Sequence, residues 1–74
     1  MKKLLEHILK GIVKYPEDVV VVELEEDDKK VFEIVVNPED VGQVIGKDGR
    51  TIKSIKILMS SLTGEENITF KVVR

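Results

Sequence analysis

The chain has 74 residues and no cysteine; 42% of it is hydrophobic, 35% is charged, and its formal net charge is -2. So short a chain has apolar material for one core and one domain over residues 1–74, its hydrophobic content argues against disorder, and the lack of cysteine removes disulfides, thiol catalysis and Cys-ligated zinc. No apolar run approaches the ~20 residues of a membrane span, and the Lys2-Lys3-Leu4-Leu5 start is interrupted by Glu6, His7 and Lys10, unlike a signal peptide, so a cytoplasmic protein fits.

Leu4, Leu5, Ile8, Leu9, Ile12 and Val13 recur at helical spacing with Glu6, Lys10 and Lys14 opposite, which predicts an amphipathic helix. Tyr15-Pro16 stops it, because proline disfavours helical geometry in the residue before it. Val19 to Leu24 and Val31 to Val36 are β-branched runs on either side of Glu25-Glu26-Asp27-Asp28-Lys29-Lys30. The two runs form a hairpin around a charged, solvated turn. The second is more nearly continuous in apolar residues, as expected of a central strand.

Asn37 reads as an N-cap, Pro38 as the first helical residue, and Glu39 and Asp40 as acids facing the helix dipole, opening a short helix that ends at Gly46. In the helix that follows, Ile52, Ile55, Met59 and Leu62 share one face and Arg50, Lys53 and Lys56 another, until Thr63-Gly64 ends it. Ile57 falls outside the apolar face. Ile68, Phe70 and Val72 then alternate with Thr69, Lys71 and Val73 as a last strand. The order α-β-β-α-α-β predicts an α+β fold. Two helices between the second and third strands supply the crossover that parallel pairing needs, so those strands lie side by side in a three-stranded mixed sheet packed against helices.

The small net charge hides an uneven distribution: residues 1–16 carry +3, residues 17–40 carry -8, and residues 41–60 carry +3 from Lys47, Arg50, Lys53 and Lys56 against Asp48. The second basic stretch contains Gly46-Lys47-Asp48-Gly49, set between apolar segments. Two glycines three positions apart let the backbone turn sharply and remove side chains that would hold a ligand away. The next helix starts there, presenting its positive dipole end and unpaired amides to an anion. Lys47, Arg50 and Lys53 can surround a phosphate, and Val41, Val44, Ile45 and Ile52 are candidates for an apolar floor beneath bases. Asp48 opposes phosphate within the same loop.

Other readings of the chain are weaker. Gly46 and Gly49 could simply end one helix and relieve a turn. Gly42-Gln43-Val44-Ile45-Gly46-Lys47-Asp48 has one residue too few between its glycines for a nucleotide P-loop, and Asp where Ser or Thr is needed. The acids Glu25 to Asp28 are consecutive in a turn and do not converge on a metal. His7 is the single histidine, and Ser54, Ser60 and Ser61 lack an activating base in the local pattern, which argues against an enzyme.

Ile45-Gly46-Lys47-Asp48-Gly49-Arg50-Thr51-Ile52 resembles the Ile-Gly-x-x-Gly-x-x-Ile signature of KH domains, which clamp about four nucleotides of single-stranded RNA. Asn37 to Val44 resembles the first KH helix of the small bacterial single-KH proteins of the KhpA family. A leading helix ending near Tyr15-Pro16-Glu17 and a last strand from Asn67 to Val73 extend the resemblance over nearly the whole chain. It implies a type II KH domain that binds single-stranded RNA without catalysis or cofactor, as a post-transcriptional regulator or RNA chaperone linked to cell shape. It also implies a homodimer, or a heterodimer with a larger KH-containing protein of the KhpB (Jag/EloR) type, through the last helix, where Ile57 and Lys56 stand. The competing class is a protein-interaction module in which the same fold serves chiefly to dimerise.

Overall fold

The computed structural model describes residues 1–73. Helix α1 (Lys2–Lys10) buries Leu5 and Leu9, but it ends earlier than the pattern before Pro16 suggests. Gly11 follows it directly, and the amides of Ile12 and Val13 both donate to the Leu9 carbonyl, at 2.9 and 3.1 Å. Glycine costs a helix interior about 1 kcal/mol relative to alanine, so the chain turns here. Ile12 and Val13 pack on the core from that turn rather than from a longer helix.

Strands β1 (Val20–Glu26) and β2 (Lys29–Val35) pair antiparallel, with Val20 opposite Val35. The segment expected to turn from Glu25 to Lys30 is mostly strand, because Glu25 faces Lys30 and Glu26 faces Lys29, opposite charges across the ladder. Only Asp27 and Asp28 turn, at φ 49° and 65°, the left-handed pair of a type I′ hairpin whose twist suits the strands. Strand β3 (Ile68–Val73) lies parallel to β2 with Phe70 opposite Phe32, giving the order β1-β2-β3 with β2 central, as expected. The Phe32 and Phe70 rings meet edge to face at 6.0 Å and 74°, a geometry aromatic pairs favour.

Helix α2 (Val41–Ile45) follows a 3₁₀ turn over Pro38–Asp40, which Asn37 caps by accepting the Glu39 amide at 2.9 Å. Helix α3 (Arg50–Thr63) closes on Gly64, whose amide donates to the Ser60 carbonyl at 2.9 Å. Its buried stripe stops at Met59, one turn before the helix does. Leu62, expected in the core, lies on that last turn and is 62% exposed. Leu5, Leu9, Val21, Phe32, Ile34, Val44, Ile55, Met59 and Ile68 share one core cluster, while alternate strand residues Val20, Val22, Leu24 and Val73 are exposed. Fully burying a side chain such as Leu5 or Phe32 contributes about 1.5–3 kcal/mol. The result is an α+β fold, three helices against a three-stranded mixed sheet.

Pro-Glu-Asp-Val occurs twice, at residues 16–19 and 38–41, and each copy forms a 3₁₀ turn. The two turns bond to each other. The Tyr15 amide, just before the first, donates to Asp40 Oδ2 at 3.0 Å; the Asn37 side-chain amide, just before the second, donates to Asp18 Oδ2 at 3.0 Å. The Lys14 amide completes the clasp on Asp40 Oδ1 at 2.9 Å. Asp40 stands in the first turn of this helical segment, as expected, and is also buried: its carboxylate is 4% exposed, tolerated there because both oxygens are hydrogen-bonded.

Candidate nucleic-acid interface

Helix α2 delivers the chain to Gly46, whose φ of 77° and ψ of 172° lie in a region open essentially to glycine alone. A Cβ there would overlap the Thr51 hydroxyl and stand 2.7 Å from the Thr51 amide nitrogen. Glycine is thus required by space as well as by backbone. Asp48 and Gly49 follow in left-handed conformations at φ 56° and 73°, which a short acidic residue and a glycine tolerate best. The Gly49 amide donates to the Gly46 carbonyl at 3.1 Å, and the Arg50 amide to the Lys47 carbonyl. Two amides expected to face a ligand at the start of α3 are thus engaged within the turn. Attraction for an anion is left to the surrounding side chains and to the remaining first-turn amides at the positive end of the helix dipole.

Lys47, Asp48, Arg50 and Lys53 are all exposed. Among the described residues the ion pair is Lys30 with Glu65 at 3.6 Å, away from the turn. Among the described residues no carboxylate is within ion-pair range of Lys47, Arg50 or Lys53, and Asp48 is the negative charge in the turn itself.

The apolar candidates divide. Val44 is 0% exposed, which corrects its reading as groove floor: a helix as short as α2 is anchored by that side chain, which has no surface left for a base. Val41 and Ile52 are half-buried and pack on the core. Ile45 is half-buried without belonging to that packing, so it is the apolar side chain beside the turn with most freedom to meet a ligand. Farther along α3, Lys56 is exposed and Ile57 is 68% exposed, joined by Leu58 at 45% and by Leu62. Leu58 and Leu62, one helical turn apart, extend the apolar patch beyond what Ile57 alone indicated.

Sequence reasoning also missed the clasp: the repeated Pro-Glu-Asp-Val marks its two turns but not their pairing. Beside that clasp the Tyr15 hydroxyl is held above its ordinary pKa, chiefly by hydrogen bonding to Glu39, then by lost solvation and the charges of Asp40, Glu17 and Asp18. No helix among the described residues is long and apolar enough to cross a membrane.

The family model described as KhpA/KhpB, KH domain matches residues 2–73. Over 75 aligned residues covering all of both chains, the protein is 72% identical to the RNA-binding protein KhpA of Thermotoga maritima. It is 40% identical to the RNA-binding protein KhpA of Oceanobacillus iheyensis, across 99% of this chain and 100% of that one. For the same-named protein of Leifsonia xyli the identity is 44% across 93% and 91%.

Proposed function

Because the chain belongs to the KhpA/KhpB family of KH domains, we propose that it is a single-domain, non-catalytic RNA-binding protein that takes single-stranded RNA on the Gly46–Gly49 turn and the first turns of α3. One observation carries this reading: Lys47, Arg50 and Lys53 stand exposed around a turn whose backbone is stripped of side chains at Gly46 and Gly49. RNA phosphate meets the cations, Ile45 meets a base, and Asp48 limits the affinity. Two or three phosphate contacts give a log-log salt slope of about -1.4 to -2.1, at about -0.7 per contact for single strands. The cellular role that follows is cytoplasmic, in post-transcriptional regulation or as an RNA chaperone.

Lys47→Asp tests the clamp. Reversing one charge beside a phosphate replaces attraction with repulsion, each about 1 kcal/mol at 4 Å in water and about 4 kcal/mol at an effective dielectric of 20. Labelled single-stranded RNA titrated with both proteins, with circular dichroism to establish folding, should show binding abolished in the variant. A folded variant that binds as tightly as the parent removes the clamp and leaves the interaction-module reading. A second feature supports pairing in addition: the exposed Ile57, Leu58 and Leu62 on α3 suit a second copy or a KhpB-type partner. Pairing raises the effective concentration of a weak clamp.

A further inference from the structure

We infer that Asp40 is a positioning residue for the Gly46–Gly49 turn, acting through α2; this deepens the RNA-binding reading and rests on it. Helix α2 has five residues, far short of the ~12–15 at which an isolated helix holds together. Its place is set by its anchors. At the C-terminal end Gly46 abuts Thr51, and in the middle Val44 is buried in the core. Val41, at the N-terminal end, packs on the core but is only half-buried, so a helix held by apolar contacts alone can still tilt about Val44. The third anchor, at that end, is Asp40.

The chemistry of that anchor is specific to a carboxylate. Ionised, it is an acceptor only, and each oxygen takes one amide from a segment 26 or 25 residues earlier, Lys14 at 2.9 Å and Tyr15 at 3.0 Å. An asparagine in its place turns an NH₂ group toward one of the two amides, donor against donor. The companion bond from Asn37 to Asp18 is exposed and lies before the 3₁₀ turn, so it does not substitute. From Asp40 to Gly46 the chain advances ~9 Å at ~1.5 Å per residue. With Val44 as the pivot the arms are about 6 Å to Asp40 and about 3 Å to Gly46, so a displacement of about 1 Å at Asp40 moves Gly46 by about half as much, which is the tolerance within which binding constellations work. The α1–β1 segment thereby takes part in the interface without touching RNA.

The test uses Asp40→Asn, with Val21→Ala as a control: Val21 is a buried β1 side chain whose truncation lowers stability without removing a hydrogen bond to Asp40. Nitrogen–proton correlation spectra should show the Gly46 to Arg50 amides displaced in Asp40→Asn and not in Val21→Ala. A fluorescein-labelled random-sequence RNA oligonucleotide should bind Asp40→Asn about tenfold more weakly than Val21→Ala, equivalent to ~1.4 kcal/mol. Unmoved loop amides, or equal weakening in the two variants, overturn the inference. If the parent protein itself binds no RNA, the functional reading fails while the amide displacements still decide the positioning claim. Should Asp40→Asn not fold, hydrogen exchange of the parent decides: the Lys14, Tyr15 and Gly46 amides should open together, with protection equal within about threefold. A Gly46 amide exchanging more than about tenfold faster than the other two overturns the link.

Discussion

Alanine at Gly46 and alanine at Gly49 should have very different costs, although the two glycines sit three residues apart at nearly the same φ, 77° and 73°. At Gly49 nothing lies within 4 Å of the added Cβ, so the penalty is that of a left-handed L-residue, about 1–2 kcal/mol. At Gly46 the ψ of 172° adds the strain of a glycine-only region, about 1–3 kcal/mol. The new methyl also meets the Thr51 amide nitrogen at 2.7 Å; backbone cannot rotate aside as a rotamer can, and overpacking costs a further 1–3 kcal/mol or so. The two terms bring Gly46→Ala to about 4 kcal/mol against about 1.5 for Gly49→Ala. For a domain whose whole stability is on the order of 4–11 kcal/mol, the first loss is a large share and corresponds to a fall in Tm of about 15–30 °C. Urea unfolding at equal m-values measures both variants. A Gly46→Ala loss within about 0.5 kcal/mol of the Gly49→Ala loss would refute the close approach to Thr51, and with it the tight turn.

Three further outcomes follow from other parts of the molecule. Asp28→Gly should stabilise the protein by about 0.5 kcal/mol in urea, since relief of the left-handed strain outweighs the added chain entropy; destabilisation would contradict the type I′ hairpin. Tyr15 has its pKa raised in the fold, so its contribution is fully present below the unfolded value of ~10 and is lost as pH rises through the folded value. The free energy of unfolding measured from pH 9 to 11 should therefore fall more steeply for the parent than for Tyr15→Phe; parallel curves would contradict that shift. Ile57→Asp should leave the fold intact and shift sedimentation toward monomer, whereas a parent that sediments as monomer at every accessible concentration removes self-association through α3.

Much of the protein was decided locally, and for that reason legible in the sequence. Element order, the central place of β2, the closing of α3 at Gly64 and the turn at Gly46 to Gly49 follow from apolar spacing, β-branched runs, caps and glycines, each acting within a few residues of itself. The exposed cations around that turn were legible for the same reason, because charged side chains stay in water wherever the chain leaves them. Only the tertiary structure decided which apolar residues are spent on the core: helical phase alone places Leu62 inside and leaves Val44 open to a ligand, yet α3 outruns its buried stripe and α2 hangs on Val44. The early end of α1 and the burial of Asp40 belong together, since the turn after Gly11 brings the Lys14 and Tyr15 amides to a carboxylate 26 and 25 residues away. Local pattern carries no information about such pairs, because they exist only once the fold has brought distant segments into hydrogen-bond range and excluded the water that would otherwise satisfy them.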